Sequence, residues 1–243
     1  MLTGLYSAAT ALTAAQHRHE VTSHNLAHAS VPGFRKVTGS TVTFESHFGE
    51  AIRSPTGRGV AVPENGTDFS NGPVKSTART LDLALVGEGF FSVTTPDGVA
   101  YTRNGAFFAQ PDGTLITADG FTVRGVGGGN IQLPTGTAPS DVVIGKDGMV
   151  SVSGIPAGQI AVTDFEDRTQ LERMGTTLFR ASDGAVEIEP TASIQQGARE
   201  LSNVSTVDEL IQMIAGMRHF EAAQKVLSSI DNAISQNTDP RSS

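Results

Sequence analysis

The chain has 243 residues, of which only 17% are charged and 6% are aromatic, and it contains 27 glycines, no tryptophan and no cysteine. The lack of cysteine excludes disulfides, thiolate metal sites and cysteine nucleophiles, while a formal net charge of −8 argues against a nucleic-acid partner because no basic stripe is available to neutralise phosphates. This composition is typical of a β-rich chain with many turns, joined to helices rich in small residues.

The first segment, residues 1–36, opens with a pattern that predicts a helix. Apolar side chains recur there at spacings of three, four and three residues, as in the seam of a coiled coil. They belong to Leu2, Leu5, Ala9 and Leu12. The segment lacks the basic start and continuous apolar core of a cleavable signal peptide, and no stretch approaches the ~18 apolar residues that span a bilayer. By these signals alone the protein stays in the cytoplasm, although secretion through an uncleaved N-terminus leaves no such trace.

The helical pattern breaks abruptly within residues 24–36, HNLAHASVPGFRK. Pro32 cannot continue a helix and pushes the residue before it toward extended geometry. Gly33 then permits a sharp turn. On local physics alone an ordinary helix stop is the preferred interpretation of this pattern, and a functional turn is the alternative.

The side chains around this break carry separate expectations. Phe34 is expected to anchor the turn by burial, because it is a large apolar side chain. Arg35 and Lys36 are expected to stay solvated. Asn25 is placed to form hydrogen bonds either to nearby backbone or to a neighbouring copy of the chain.

The middle of the chain predicts antiparallel β structure. Residues 37–79 are rich in Thr, Gly and Pro with weak periodicity, which predicts an extended connector, and from 80 to 200 the apolar period changes to two. Asp-Gly pairs stand at 97–98, 112–113, 119–120, 147–148 and 183–184. Each is a ready hairpin turn because glycine accepts positive φ. Residues 81–125 therefore predict a meander that begins with a Gly-Glu-Gly bulge or turn, and 126–190 predict further β structure.

The last segment, residues 201–238, predicts a long helix. Asn203 or Ser205 is placed to cap it, and Asp208 and Glu209 in its first turn favour the helix dipole. The apolar seam residues are Val207, Leu210, Ile214 and Met217, followed by Phe220, Ala223, Leu227 and Ile230. The step from Met217 to Phe220 is an extra three residues, which would locally overwind a coiled coil.

Together these patterns predict an α+β fold in which N- and C-terminal helices pair as a coiled coil and flank a mainly β, antiparallel central domain. Each helix is too weakly amphipathic to stand alone. The simplest way to bury both seams is against each other and then against neighbouring copies. Assembly into a larger structure is the natural inference.

Four of the six histidines, His17, His19, His24 and His28, fall within twelve residues near the N-terminus. His17, Glu20, His24 and His28 share one face of an ideal helix, which is one way to ligate a metal. A solvated or interfacial polar face explains the same spacing, and we prefer that reading. No motif marks a nucleophile or a paired acid and base, so we predict no catalytic residues, no metal and no cofactor.

Residues 23–36 resemble the N-terminal signature N-N-I/L-A-N-x-x-T-x-G-F-K/R of bacterial flagellar axial proteins of the rod and hook. The matching residues are Asn25, Leu26, Ala27, Gly33, Phe34 and Arg35. His24 and His28 stand where that family has asparagine. Residues 81–125 and 201–234 resemble the central and C-terminal blocks of the same family, in the same order.

The resemblance implies a structural subunit of the basal-body rod, which spans the periplasm, and not an enzyme. Its terminal helices would stack into the core of a hollow helical tube, with the β domains forming the outer wall. It implies export from the cytoplasm by the flagellar type III system. The implied partners are the export apparatus, other rod proteins and copies of the chain itself, with no nucleic acid and no direct membrane insertion.

Within the family the sequence favours the proximal-rod type, because the connector after Phe44 is compact whereas distal-rod proteins tend to carry a longer insertion there. A hook subunit or hook-basal-body paralogue is the nearest alternative. A metal-binding or enzymatic β domain is a remote one.

Overall fold

The structure, a computed structural model, describes residues 2–39 and 65–238. The chain divides into two compact units. The helical unit comprises Met1–Ala27, Val37–Thr67 and Ser205–Ser243, and the β unit comprises His28–Lys36 and Asp68–Val204. Most of the predicted connector, residues 40–64, lies outside the described residues.

Two long helices belong to the helical unit: α1, Leu2–His28, and α2, Thr206–Thr238. Helix α2 begins at the cap that the sequence predicts at Ser205, whose Oγ accepts a hydrogen bond from the Asp208 amide at 3.4 Å. Helix α1 ends four residues before Pro32, which cannot extend a helix. Neither described helix carries an apolar stretch of the length and hydropathy that a membrane span requires.

Short strands fill the rest of the described chain. In order they are β1 Val37–Gly39, β2 Asn65–Thr67, β3 Val74–Ser76, β4 Leu83–Val86, β5 Phe90–Thr95, β6 Gly98–Thr102, β7 Phe107–Ala109, β8 Leu115–Thr117, β9 Thr122–Val123, β10 Val142–Ile144, β11 Met149–Val152, β12 Ile155–Gln159, β13 Val162–Phe165, β14 Leu171–Arg173, β15 Leu178–Ala181, β16 Glu187–Ile188, β17 Ser193–Gln196 and β18 Ala198–Glu200. Two 3-10 turns, Pro139–Asp141 and Arg168–Gln170, interrupt them. The predicted α+β class is therefore confirmed.

The strand pairings of the described chain are all antiparallel, as predicted. The largest sheet has the order β14-β15-β6-β5-β9-β8-β7, with β13 paired to β5 and β16 to β13. Strands β10, β11 and β12 form a second sheet, and β17-β4, β18-β3 and β1-β2 form ribbons. The ribbon of β18 with β3 places Glu200 opposite Val74.

The segment 81–125 shows how the Asp-Gly turns direct this topology. Hairpins β5-β6, β7-β8 and β8-β9 form at the three predicted turns. The glycines of those turns, Gly98, Gly113 and Gly120, all adopt positive φ. Strand β9 then returns to pair with β5, so the chain from β5 to β9 folds back on itself and is not a simple meander.

Strand β5 separates two apolar cores within the β unit. Successive side chains of a strand point to opposite faces, and accordingly Phe90 and Phe91 enter different clusters. The rings of Phe91 and Phe107 meet edge to face at 5.1 Å in the larger core. Phe90 contacts Phe179 at 6.1 Å in the smaller core. Replacing a buried phenylalanine with alanine lowers the free energy of unfolding by about 3–5 kcal/mol. These cores therefore contribute much of the stability of the β unit.

Candidate assembly site

The turn motif that follows α1 is built into the β unit around Phe34. Phe34 is fully buried, and the ring of His28 stacks on it with the centroids 5.1 Å apart. The guanidinium of Arg173 lies 5.1 Å from the centroid of the Phe34 ring and 5.0 Å from that of Phe179. Arg173 also donates a hydrogen bond of 2.7 Å to the Arg35 carbonyl. The motif is thereby tied to the smaller aromatic core.

The backbone of Gly33 packs tightly against the backbone of Arg103 and Asn104. Its φ is +70°, and a Cβ at this position would lie 2.3 Å from the amide nitrogen of Asn104. Its own amide donates a hydrogen bond of 2.9 Å to the carbonyl of Glu200. Both the backbone conformation and the space at this position therefore require glycine.

Arg35 is buried, so the expectation that it stays solvated is wrong. One of its terminal nitrogens, Nη2, lies 2.7 Å from Oε1 of Glu200 in an ion pair that is almost fully buried on both sides. The free-energy cost of burying an arginine is offset when a carboxylate pairs with its charge. The partner stands 165 positions along the chain, so local sequence gives no sign of it. Lys36 is partly buried, and its amide donates to the Asn203 side chain at 2.7 Å.

Glu200 is the centre of a buried charge cluster. Its Oε1 also accepts the amide of Gly72 at 2.8 Å, and its Oε2 lies 3.2 Å from Nη1 of Arg103. Burial lowers the pKa of Arg103 to about 10, the carboxylate of Glu200 opposes this fall, and the like charge of Arg35 adds to it. Removing one partner of such a buried pair costs about 3–5 kcal/mol, since the other charge is left uncompensated.

In the helical unit Asn25 takes the local one of its two predicted roles. It is almost fully buried, and its side chain brackets the backbone of Val37. Oδ1 accepts the Val37 amide at 2.8 Å, while Nδ2 donates to the Val37 carbonyl at 2.9 Å. Of its neighbours in the motif, Leu26 is partly buried and Ala27 is exposed.

Helix α2 presents two different faces, one exposed and one covered. The predicted seam residues Val207, Leu210, Ile214 and Met217 are 46–64% exposed, together with Ile211. A second face is buried or partly buried and follows spacings of 4, 3, 4, 3 and 4. It consists of Glu209, Met213, Gly216, Phe220, Ala223 and Leu227. We call these the exposed stripe and the covered stripe.

The remaining predicted seam residues are distributed between described and undescribed side chains. Leu12 in α1 and Leu227 in α2 are partly buried. The side chains of Leu2, Leu5 and Ile230 lie outside the described residues.

Three family models match separate parts of the chain. The model described as "Flagella basal body rod protein" matches residues 5–35, "Flagellar hook protein FlgE/F/G D1 domain" matches 84–152, and "Flagellar basal body rod FlgEFG protein C-terminal" matches 195–236. The "Flagellar basal-body rod protein FlgG" of Bacillus subtilis (strain 168) is 32% identical over 263 residues, covering 97% of this chain and 98% of that protein. The chain belongs to the flagellar basal-body rod protein family. The resemblance seen in the sequence is thereby confirmed.

Both subtypes of the rod family are similar to this chain. The "Flagellar basal-body rod protein FlgF" of Escherichia coli (strain K12) is 33% identical over 246 residues, covering 94% of each chain. The protein of the same name from Caulobacter vibrioides is 32% identical over 213 residues, covering 86% of each. The FlgG and FlgF relatives are almost equally identical to this chain. Identity therefore does not distinguish the two subtypes, and the proximal-rod assignment stays a prediction.

The three segments matched by rod-family models meet in the buried charge cluster. Arg35 belongs to the first segment, Arg103 to the second and Glu200 to the third. Sequence reasoning on this rod-family chain missed Arg103 and Glu200, although Arg103 lies in the family-like block 81–125, because no local pattern shows that the two side chains pair with each other. It considered Asn203 only as a helix cap, whereas its Nδ2 donates to the carbonyls of Asp68 and Ser70 at 2.9 and 3.1 Å.

Among the described residues of this rod-family chain, the predicted histidine cluster does not gather into a metal site. In the part of the chain that the structure describes, no three His, Cys, Asp or Glu side chains are grouped to hold an ion. His28 instead packs on Phe34. Rod proteins are structural and not enzymes, so the site to be explained is an assembly surface.

Proposed function

We propose that the chain is a structural subunit of the bacterial flagellar basal-body rod, joined to its neighbours through the exposed stripe of α2. The observation that carries the proposal is this stripe, in a chain whose relatives are named basal-body rod proteins. The other rod proteins and further copies of the chain are the proposed neighbours. Export by the flagellar type III route is part of the proposal and rests on the family alone.

The exposed stripe is costly to leave in water. Its five apolar side chains, of Val207, Leu210, Ile211, Ile214 and Met217, lie within three turns of one helix. Fully burying one side chain of this kind contributes about 1.5–3 kcal/mol. A contiguous apolar surface of this sort marks an interaction site more often than a free surface.

The two stripes of α2 suggest two different roles. We propose that the covered stripe pairs with α1 as a coiled coil within the subunit. The exposed stripe would then pack against neighbouring subunits. This division also accounts for the extra three-residue step in the predicted seam, since Val207 to Met217 and Phe220 to Leu227 lie on different faces.

Replacing Leu210 with aspartate in the native host tests the stripe. An uncompensated charge in a subunit interface costs about 3 kcal/mol or more, so we expect incorporation into rods to fall at least ~100-fold and motility to be lost. The β unit should stay folded, because Leu210 lies outside it. Subunits in isolated basal bodies are counted by immunoblotting, and folding is followed by circular dichroism of the purified chain.

Gln212→Asp is the matched control. Gln212 is exposed and lies two positions from both Leu210 and Ile214, roughly 200° around the helix from each. The same charge there should leave incorporation and motility unchanged. Normal motility of the Leu210→Asp strain would rule out this packing.

A hook subunit is the second candidate, favoured by one match whose description names the hook protein. Such a subunit would polymerise alone into a long curved tube. We expect the purified chain to form no such tube under electron microscopy.

A further inference from the structure

Two segments that lie far apart in the sequence meet inside the β unit. The first, Val31–Lys36, follows α1, and the second, Ala198–Val204, precedes α2. The Gly33 amide donates to the Glu200 carbonyl at 2.9 Å, and the Lys36 amide donates to Oδ1 of Asn203 at 2.7 Å. With the ion pair of Arg35 and Glu200 at 2.7 Å, these contacts form what we call the clamp.

The clamp is also fixed to the body of the β unit. Glu200 accepts the Gly72 amide at 2.8 Å and pairs with Arg103 at 3.2 Å. Asn203 donates to the carbonyls of Asp68 and Ser70. Glu200 and Asn203 therefore each bond to the first segment and to the body at once.

The electrostatics of the clamp depend on Glu200. The side chains of Glu200, Arg35 and Arg103 are at most 2% exposed, so one buried carboxylate serves two buried guanidinium groups. Nε of Arg35 and Nε of Arg103 have no hydrogen-bond partner among the described residues. The carboxylate of Glu200 is thus the main compensation for both charges, and its loss would push the two arginines apart.

We infer that Glu200 is a positioning residue, which holds the segment after α1 and the segment before α2 together and thereby makes the subunit competent to assemble. The contact spans 165 positions, so it closes only when both ends of the chain are present. Only a few residues separate it from each helix, since α1 ends at His28 and α2 begins at Thr206. The consequence for assembly rests on the function proposed above.

Distance measurement between two spin labels tests the clamp in the full-length chain. The chain has no cysteine, so Ser30→Cys and Gln195→Cys, both exposed positions within the β unit, accept one label each. In this background Glu200→Gln keeps the shape of the side chain and removes its charge. We expect the distance distribution to broaden at least twofold and incorporation of the unlabelled variant into rods to fall at least tenfold.

Asp164→Asn is the matched control, because Asp164 is also a buried carboxylate paired with an arginine, Arg168, at 2.9 Å. It should lower the thermal unfolding midpoint as Glu200→Gln does, yet leave the label distance and incorporation unchanged. Equal broadening in both variants would mean that the effect is general destabilisation, and would overturn the inference.

Two milder variants at Asn203 cover the case in which Glu200→Gln does not fold. Asn203→Ala removes all the side-chain bonds of the clamp at this position and should broaden the distances, whereas Asn203→Asp keeps the acceptor for Lys36 and should restore most of the order. A narrow, native distance in Asn203→Ala would overturn the inference. The distances are measured on the purified chain, so this result is distinct from a failure of the proposed function, which the Leu210→Asp strain reports.

Discussion

Two separate constraints exclude every residue type except glycine at position 33. Its positive φ disfavours any side chain, and the Asn104 backbone stands where a Cβ would be. Gly127 meets only the first constraint, since its φ is +88° and a Cβ there would have nothing within 4 Å. The pair therefore separates backbone strain from steric exclusion.

We expect Gly33→Val to be exported and yet fail to assemble. Strain at a positive φ costs about 1–3 kcal/mol, and the clash with the backbone of Asn104 adds to it, so the turn motif should detach from the β unit. Gly127→Val should show only the strain and should assemble normally. Both variants are compared by their free energy of unfolding in urea and by their abundance in isolated basal bodies. Wild-type assembly of Gly33→Val would show that the turn is incidental.

Arg35 marks the limit of what the sequence reveals at single residues. The turn at Pro32 and Gly33 follows from local backbone chemistry and was predictable. The burial of Arg35 depends on Glu200, which is distant in sequence and becomes its neighbour only in the folded chain. A local sequence pattern does not reveal which distant charge will pair with Arg35, so the buried charge cluster could not be predicted.

At the scale of elements, strands are easier to predict than helix faces. Alternating apolar residues and Asp-Gly turns predict β5 to β9 because both signals are local. The covered stripe of α2 contains Glu209 and Gly216, which periodicity rejects as seam positions. The exposed stripe is more regularly apolar than the covered stripe. Hydrophobic spacing alone therefore predicts as a packing seam the face that is exposed to solvent in the single chain.

Gly216 offers a test of α2 as an element. It is buried in the helix interior, and a Cβ there would meet no atom within 4 Å. Gly216→Ala should therefore stabilise the helix by about 0.5–1 kcal/mol and leave incorporation unchanged. Ala215→Gly, at the exposed neighbouring position, should destabilise it by a similar amount. Thermal melts followed at 222 nm measure both, and a destabilising Gly216→Ala would mean that another backbone packs against this point.

At the scale of the whole molecule, the division into two units follows the order of the chain. Both ends of the sequence contribute to the helical unit and the middle forms most of the β unit. The clamp links the segment after α1 to the segment before α2 within the β unit. The exposed stripe lies in the helical unit. Because Leu210 lies in the helical unit, Leu210→Asp is expected to leave the β unit folded while the subunit is absent from rods.

Deleting the gene in its native host tests the role of the complete subunit. Isolated basal bodies imaged by electron microscopy should stop at the membrane ring without a complete rod and should carry no hook. The compact connector predicts the proximal type, so the rod should end close to the ring, whereas a longer truncated rod would assign the chain to the distal part. Complementation with the wild-type chain or with Gln212→Asp should restore full rods. Complete rods that lack only a hook would make this chain a hook subunit, and intact motile flagella would contradict any role in the rod.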